Sequence, residues 1–254
     1  MKLSKEQLDF FNENGYLLIK GFFPKKECDI IRDLAKVHLK YKIEPIETEY
    51  EYIGIDREEY KESVRRLRQV YDRDIVFKNW MEYPKIYPIL EQVLNEEPIL
   101  VTAHHNSIMT KRAYTSTATE WHQDKRYWSY DSDNLVSIWL ALQNENSQNG
   151  VLEFIPKTHK MEFNPNQFDE KLFFRDDLEK NQTLIKTKVS FELEAGDIVL
   201  FHCKLLHRAN ANRTNKDKIS FVYTVKGKSV NALPNTRSAK YKEIVLNHSK
   251  NTLF

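Results

Sequence analysis

The pattern of apolar and polar positions first predicts a short helix followed by a buried strand. Ser4 followed three residues later by Gln7 is a capping-box pattern, and Gly15 can end a helix in the left-handed conformation, so a helix is predicted over residues 5–14. The apolar run at residues 16–19 is typical of a buried strand. The chain therefore opens with one helix and one strand.

Further helices are predicted before residue 98. Pro24 suits the first turn of a helix, and apolar residues follow it at helical spacing. Helical spacing returns at residues 63–71 and 87–94. Residues 43–60 are acidic, rich in tyrosine and without clear periodicity, which favours a surface loop or lid whose tyrosines face a pocket.

The second part of the chain has the pattern of a β protein. Short runs rich in β-branched and aromatic residues alternate with turn signals, and Asn149-Gly150 supplies the positive φ values of a tight hairpin. The predicted strands are residues 99–102, 135–140, 151–155, 187–191, 198–201 and 219–223. Without a linker between the parts, we expect one domain over residues 1–254, with a helical part (about 1–97) packed on a β core (about 98–228) and a tail (about 229–254).

Composition excludes several classes of function. The 254 residues carry 39 Lys and Arg against 37 Asp and Glu, and this balance provides no basic surface for nucleic acid. No apolar run approaches 18 residues, and charges occupy the N-terminus where a signal peptide would be apolar, so no membrane association is expected. Two isolated cysteines, Cys28 and Cys203, favour a reducing compartment, and we expect a cytoplasmic protein.

The segment Glu120-Trp121-His122-Gln123-Asp124 holds the candidate chemistry. Residues two apart on a strand project to the same face, so His122 and Asp124 could aim a nitrogen and an oxygen at one point. His207, which follows the strand at 198–201, is a candidate third ligand. Two histidines and one carboxylate leave open positions on an octahedral ion, which suits non-haem Fe(II). Zinc is disfavoured because the chain has no HExxH pattern.

Four stretches of the chain resemble the phytanoyl-CoA dioxygenase family of Fe(II)- and 2-oxoglutarate-dependent oxygenases. They are FFNENGYLLIKGFF (10–23), WHQDKRYW (121–128), NLVSIWLALQNENSQNGVLEFIPKTHK (134–160) and AGDIVLFHCKLLHRANANRT (195–214). The resemblance implies a mainly β fold with flanking helices (α+β), a double-stranded β-helix or cupin-like jelly roll. It makes His122, Asp124 and His207 the iron ligands and the catalytic centre, with 2-oxoglutarate and O₂ as cosubstrates.

The same resemblance implies a set of 2-oxoglutarate-binding residues. The family's anchor for the distal carboxylate is an arginine eleven positions after the second histidine, but this chain has Lys218 there, which can hold a carboxylate only as a point charge. Arg213 is the fallback. Trp139, Lys111 and Ser107 match positions that line the family's cosubstrate pocket, although Trp139 could equally be core and Lys111 a surface charge.

Other histidines and the substrate-binding residues are less defined. His159 is expected to be structural, and His104 and His105 should point to opposite faces of a strand, so that one at most looks inward. Residues at the cavity mouth mix cationic and aromatic side chains, which suits an anionic or zwitterionic small molecule. These candidates are Lys125, Arg126, Tyr127, Trp128 and Tyr130, with Arg65, Arg66 and Arg68 and the loop 44–60 as a lid.

The sequence therefore predicts an oxygenase that hydroxylates an aliphatic C–H bond of a small molecule and releases succinate and CO₂. Asp124 argues against a halogenase, because related halogenases have a small residue in place of this carboxylate. Desaturation and epimerisation stay open on the same ligands, as do the substrate and the oligomeric state. The competing hypotheses are a jelly-roll binding protein without activity and a metal hydrolase that uses the same three ligands.

Overall fold

A computed structural model of the protein describes residues 1–246, and within this range the chain forms seven α-helices and twelve strands. The helices are α1 Lys5–Asn14, α2 Lys25–Lys40, α3 Glu49–Ile53, α4 Glu58–Glu62, α5 Ile75–Met81, α6 Tyr87–Leu94 and α7 Glu179–Ile185. The strands are β1 Tyr16–Ile19, β2 Ile46–Thr48, β3 Val64–Arg68, β4 Pro98–Lys111, β5 Thr119–His122, β6 Leu135–Ala141, β7 Leu152–Phe154, β8 Val189–Ser190, β9 Ile198–His202, β10 His207–Ala209, β11 Lys218–Gly227 and β12 Glu243–Val245.

The described strands form two antiparallel sheets. The main sheet has the order β1-β9-β6-β11-β4-β3-β2, with β12 also paired to β4, and the minor sheet has the order β5-β10-β7-β8. Two facing antiparallel sheets, with α1, α2, α5 and α6 packed on the main sheet, confirm the predicted jelly roll with flanking helices. No described helix is long and apolar enough to cross a membrane.

The main sheet is buried on both faces, which explains the continuous apolar run of β6. Along this strand Ile138 and Leu140 pack towards the helices, whereas Trp139 and Ala141 pack into the space between the sheets. Successive side chains of a strand point to opposite faces, so a strand covered on both sides needs apolar residues at every position. The cavity described below lies on the side that faces the minor sheet.

Two predictions for the first part of the chain are wrong. Residues 63–71 are predicted to be helical, but they contain β3, in which Leu67 pairs with Ile108 of β4. The loop predicted at 43–60 contains β2, α3 and α4, and its Glu49 is fully buried. The helix prediction fails because β3 pairs with β2 and β4. The loop prediction fails because Glu49 is buried as the ion-pair partner of Arg65 in β3, and the local pattern shows neither of these pairings.

The main sheet also joins the three predicted parts of the chain. β1, β2 and β3 come from the part expected to be helical, and β12 comes from the expected tail. This sharing of strands supports the expectation of one domain, which stays a prediction. Residues 247–254 of the tail lie outside the described range.

Candidate metal centre

Three side chains from the minor sheet and its following turn converge on one point. His122 ends β5 and His207 begins β10, and the two residues are direct register partners. The Nε2 atoms of His122 and His207 lie 3.7 and 3.8 Å from the same oxygen, Oδ1 of Asp124. All three side chains are at most 12% exposed. Among the described residues this is the one group of three or more His, Cys, Asp or Glu side chains placed to hold a metal ion.

Asp124 reaches the site in a different way from the one predicted. It does not continue β5 but begins a 3-10 turn, Asp124–Tyr127, directly after the strand. The turn is anchored where Lys125 N–H donates to Cys203 O at 3.0 Å. Asp124 therefore meets His122 because the chain bends, and not because both residues share one strand face.

Hydrogen bonds orient both imidazoles towards the common point. His122 Nδ1 lies 2.7 Å from Glu120 O, and His207 Nδ1 lies 2.9 Å from Leu205 O. Because a carbonyl oxygen can only accept, the Nδ1 atoms carry the protons and each Nε2 keeps its lone pair. Fixing the tautomer in this way is the usual function of groups that surround metal-binding histidines.

The electrostatics of the site favour the protonation states that bind metal. Burial lowers the pKa of His122 to about 3, and it lowers the pKa of His207 as well. Burial acts to raise the pKa of Asp124, but the neighbouring His105, His207 and His122 outweigh it and hold that pKa well below its ordinary value. Two neutral imidazoles and one carboxylate are therefore present at neutral pH, and this donor set fits Fe(II) with positions left for further ligands.

His105 contacts the site directly, although its sequence shows no partner pattern. Its Nε2 lies 2.9 Å from Asp124 Oδ1, and since a carboxylate only accepts, His105 is the donor. Residues 102–105 have no partner in β11, because the register between β4 and β11 shifts there. This bulge brings both His104 and His105 to the cavity, so the prediction that one at most looks inward is wrong.

The metal ligands open into a cavity of about 830 Å³ between the two sheets. This volume lies within the range of small-molecule sites. Of the predicted cosubstrate residues, four line the cavity: Ser107, Lys111, Trp139 and Lys218. Arg213 does not, because its side chain is exposed in the loop before β11. In that loop Asn212 is the buried residue, and its side chain donates to Lys111 O and Lys216 O.

The predicted mouth residues divide into two groups. Tyr127 and Trp128 line the cavity, as do Arg65, Arg66 and Arg68. The other three are not among its lining residues. Lys125 donates to Tyr130 O and Ser132 O, Arg126 stacks on the ring of Phe168, and Tyr130 packs beside His104.

The expected lid segment contributes to the cavity only in part. Pro45, Glu47 and Tyr52 line it, and the guanidinium of Arg65 stacks 3.5 Å from the ring centre of Tyr52. The expectation that tyrosines of this segment face a pocket therefore holds for Tyr52. Of the other histidines, His159 contacts Asn12 O, packs against Gly15 and is not among the residues that line the cavity, which agrees with the structural function expected of it.

Comparison with known proteins shows which family the chain belongs to. The family model described as "Phytanoyl-CoA dioxygenase (PhyH)" matches residues 11–220. The chain is 26% identical over 226 residues to a probable phytanoyl-CoA dioxygenase of Caenorhabditis elegans, covering 84% of this chain and 72% of that protein. It is 27% identical over 226 residues to the peroxisomal phytanoyl-CoA dioxygenase of Homo sapiens, covering 84% of this chain and 65% of the human one.

Solved structures share the fold over most of the chain. The epimerase SnoN, crystallised with Fe³⁺, alpha-ketoglutarate and nogalamycin RO, gives a TM-score of 0.74 at 15% identity over 96% of this chain and 94% of its own. EctD from S. alaskensis with bound Fe gives a TM-score of 0.72 at 17% identity over 89% and 77%. Since the family model matches residues 11–220, the chain belongs to the phytanoyl-CoA dioxygenase family of iron- and 2-oxoglutarate-dependent oxygenases, and it has a His/Asp/His set placed to hold a metal ion.

Proposed function

We propose that this enzyme hydroxylates an aliphatic C–H bond of a small molecule. In the overall reaction the substrate C–H, 2-oxoglutarate and O₂ give the alcohol, succinate and CO₂, so that one oxygen atom enters the product and the other enters succinate. Iron with its bound 2-oxo acid supplies the oxidising chemistry. The observation that carries the proposal is the approach of His122 and His207 Nε2 to one oxygen of Asp124 at the wall of the cavity.

This reaction gives each residue of the site a function. His122, Asp124 and His207 would hold the iron, and the carbonyls of Glu120 and Leu205 keep the imidazoles in the required tautomer. Lys111, Lys218, Trp139 and Ser107 would surround the cosubstrate, since all four line the cavity. The two facing sheets enclose this region, which excludes bulk water from the reacting groups.

The charge at the outer part of the cavity favours an anionic substrate or a zwitterionic one bound through its anionic end. Arg68, Arg237 and Lys240 line the cavity, and within residues 1–246 no carboxylate lies within 4 Å of their charged nitrogens. Cations without counterions at a cavity mouth attract anions and steer them inward. A carboxylate or phosphate on the substrate would bind these side chains and place its apolar carbon chain towards the iron ligands.

Anaerobic titration of the Fe(II)-loaded protein with 2-oxoglutarate tests the proposal. We expect a visible charge-transfer band, which is lost in Asp124→Asn and retained in the control Asp133→Asn, an exposed carboxylate paired with Lys125 and Lys204. Under air, the same protein should release succinate. A protein that binds Fe(II) but gives neither the band nor succinate at saturating 2-oxoglutarate would contradict the proposed function.

The proposal includes a cytoplasmic location for the enzyme. Cys28 and Cys203 are both free and buried, which fits a reducing compartment. Fractionation of cells that express the chain at its natural level tests this: recovery in a sealed organelle would contradict it.

A further inference from the structure

A fully buried carboxylate, Glu145, lies directly behind the cavity wall. It follows β6 in the segment before the Asn149-Gly150 turn, and its side chain is 0% exposed. Three groups donate to it: Ser220 Oγ at 2.6 Å, Lys218 Nζ at 3.0 Å, and Trp139 Nε1 at 3.1 and 3.3 Å to its two oxygens. Two of these donors, Trp139 and Lys218, also line the cavity.

The three side chains that donate to Glu145 could equally bind the carboxylate of a ligand. An ammonium, a hydroxyl and an indole N–H all donate, and here they already hold a carboxylate that belongs to the protein. Lys218 is further committed, because its Nζ donates to Gly150 O at 2.7 Å. Its charge is balanced by Glu145, so it presents little net charge to a molecule in the cavity.

A second lysine beside it is not balanced in this way. Lys111 is the register partner of Lys218 on β4, and its side chain is buried. Its Nζ contacts only two carbonyl oxygens, of Thr117 and Ala209, and among the described residues no carboxylate forms an ion pair with it. Burial, together with Arg65 and Lys218, lowers the pKa of Lys111, although Glu49 and the exposed Glu120 act in the opposite direction without forming an ion pair with it.

The buried cluster of Arg65, Lys111, Lys218, Glu49 and Glu145 contains three basic side chains and two carboxylates, so one cation is in excess. Arg65 is paired with Glu49 at 3.1 Å and Lys218 with Glu145 at 3.0 Å, whereas Lys111 has no counterion. A buried cation without a partner is costly, and an anionic ligand would remove that cost. The position next to Lys111 is therefore the one at which a second carboxylate of a 2-oxo acid gains most.

We propose that Glu145 determines the cosubstrate specificity of this enzyme: by neutralising Lys218 it leaves Lys111 as the one buried cation among Arg65, Lys111 and Lys218 that has no ion-pair partner and can pair with the distal carboxylate of the 2-oxo acid. This inference rests on the proposed function. It predicts that the protein binds 2-oxoglutarate more tightly than 2-oxopentanoate, which has a methyl group in place of the distal carboxylate. This preference should depend on Lys111, and Glu145 should reduce it.

Binding of the two acids, measured without turnover, tests this inference. The Fe(II)-loaded protein is titrated anaerobically with each acid, and the dissociation constants are taken from the visible band and from calorimetry. Glu145→Gln keeps the shape of the side chain and one accepting oxygen for Lys218 Nζ, its new NH₂ group can donate to Ser220 Oγ, and the charge is removed. We expect it to tighten 2-oxoglutarate binding at least about tenfold and to leave 2-oxopentanoate unchanged. The same change at the exposed Glu162, paired with Lys204, serves as the control and should alter neither constant.

A second variant keeps the test decisive if Glu145→Gln does not fold. Lys111→Met removes the unpaired charge without stranding a carboxylate, and it should weaken 2-oxoglutarate about tenfold or more while 2-oxopentanoate binds as before. Adding Lys218→Met to Glu145→Gln should remove the gain in affinity.

The outcomes separate the inference from the proposed function. If the wild-type protein binds 2-oxoglutarate but Lys111→Met keeps its preference over 2-oxopentanoate, or if folded Glu145→Gln leaves both constants unchanged, the inference is overturned and the function stands. If the wild-type protein binds neither acid, the proposed function fails, and the inference fails with it.

Discussion

The imidazole of His105 donates a 2.9 Å hydrogen bond to Oδ1 of Asp124, the same oxygen that both candidate iron-binding nitrogens approach. Ser137 Oγ donates to the other oxygen, Oδ2, at 3.4 Å. The carboxylate is thus held from both sides before any metal binds. Groups that orient a metal ligand in this way commonly change metal affinity by about 10–100-fold when they are removed.

We therefore expect His105→Phe to weaken Fe(II) or Co(II) binding about tenfold or more while the protein stays folded. Without this hydrogen bond the Asp124 carboxylate can rotate away from the metal. We therefore expect a larger effect on metal affinity than on the free energy of unfolding. Metal titration with circular dichroism as the folding check measures this. His38→Phe, on α2 and outside the site, is the control. An unchanged metal affinity in folded His105→Phe would show that the hydrogen bond does not orient the ligand.

The cations at the cavity mouth should bind a simple anion. Pyrophosphate is expected to raise the melting temperature of the wild-type protein, and less so at high salt, because screening weakens exposed charges. Changing Arg68, Arg237 and Lys240 together to Gln should weaken its binding about tenfold or more. Arg213→Gln, exposed and outside the cavity, should leave the thermal shift unchanged. An equal shift in the triple variant would refute anion recognition at the mouth.

Stability should fall on mild acidification because of His202. Burial lowers the pKa of His202 to about 4, with His159 acting in the same direction, and its Nδ1 accepts from Lys204 N–H at 3.1 Å. The unfolded chain takes up this proton near its ordinary pKa of 6.5, so between about pH 6.5 and 4 the unfolded state binds more protons than the folded state. The free energy of unfolding then decreases by up to about 1.4 kcal/mol per pH unit from this group, and this loss levels off below about pH 4.

The variant His202→Asn isolates that contribution, because Asn keeps an acceptor for Lys204 N–H but does not titrate. Urea unfolding of both metal-free proteins at pH 7, 6 and 5 should give a shallower pH dependence for the variant. Parallel curves would show that His202 is already protonated in the folded protein.

Two glycines with similar backbone angles should respond differently to alanine. Gly150 has φ of +83° and Gly54 has φ of +76°, but a Cβ at Gly150 would lie 2.3 Å from Asn210 O, whereas nothing lies within 4 Å of one at Gly54. Gly54→Ala should therefore cost about 1 kcal/mol of unfolding free energy, from the left-handed backbone alone. Gly150→Ala should cost more than about 2 kcal/mol, because the turn between β6 and β7 must also move away from Asn210. Equal losses in urea unfolding would contradict the close approach.

Two of the three iron-binding candidates could be predicted from a local signal, and the resemblance to the family added the third, His207. His122 and Asp124 are two residues apart, and His207 follows a strand with a clear apolar pattern. Even so, the reason given for Asp124 was wrong, since a 3-10 turn and not a shared strand face brings it to the site. Short apolar runs separated by turn signals predicted a β core, and the resemblance to the family implied that this core is a jelly roll.

His105 and Glu145 could not be predicted in the same way. His105 reaches Asp124 because four residues of β4 bulge out of register, and the segment shows no glycine or proline that would signal this. Glu145 lies in the polar run Asn144–Gln148, which has the composition of an exposed turn, and it is buried only because Lys218, Ser220 and Trp139 surround it. Both residues depend on partners far away in the chain.

The pairing of β1 with β9 has a consequence for the order in which the protein can fold. Tyr16 pairs with Phe201 and Ile19 with Ile198, so paired residues lie about 180 positions apart in the chain, and β1 packs its side chains into both apolar cores. During synthesis β1 leaves the ribosome long before its partner exists, and contacts between such distant segments form slowly. The nascent chain therefore has an unpaired apolar strand at its beginning until the segment around residue 200 emerges, and that interval is when aggregation or capture by a chaperone is most favoured.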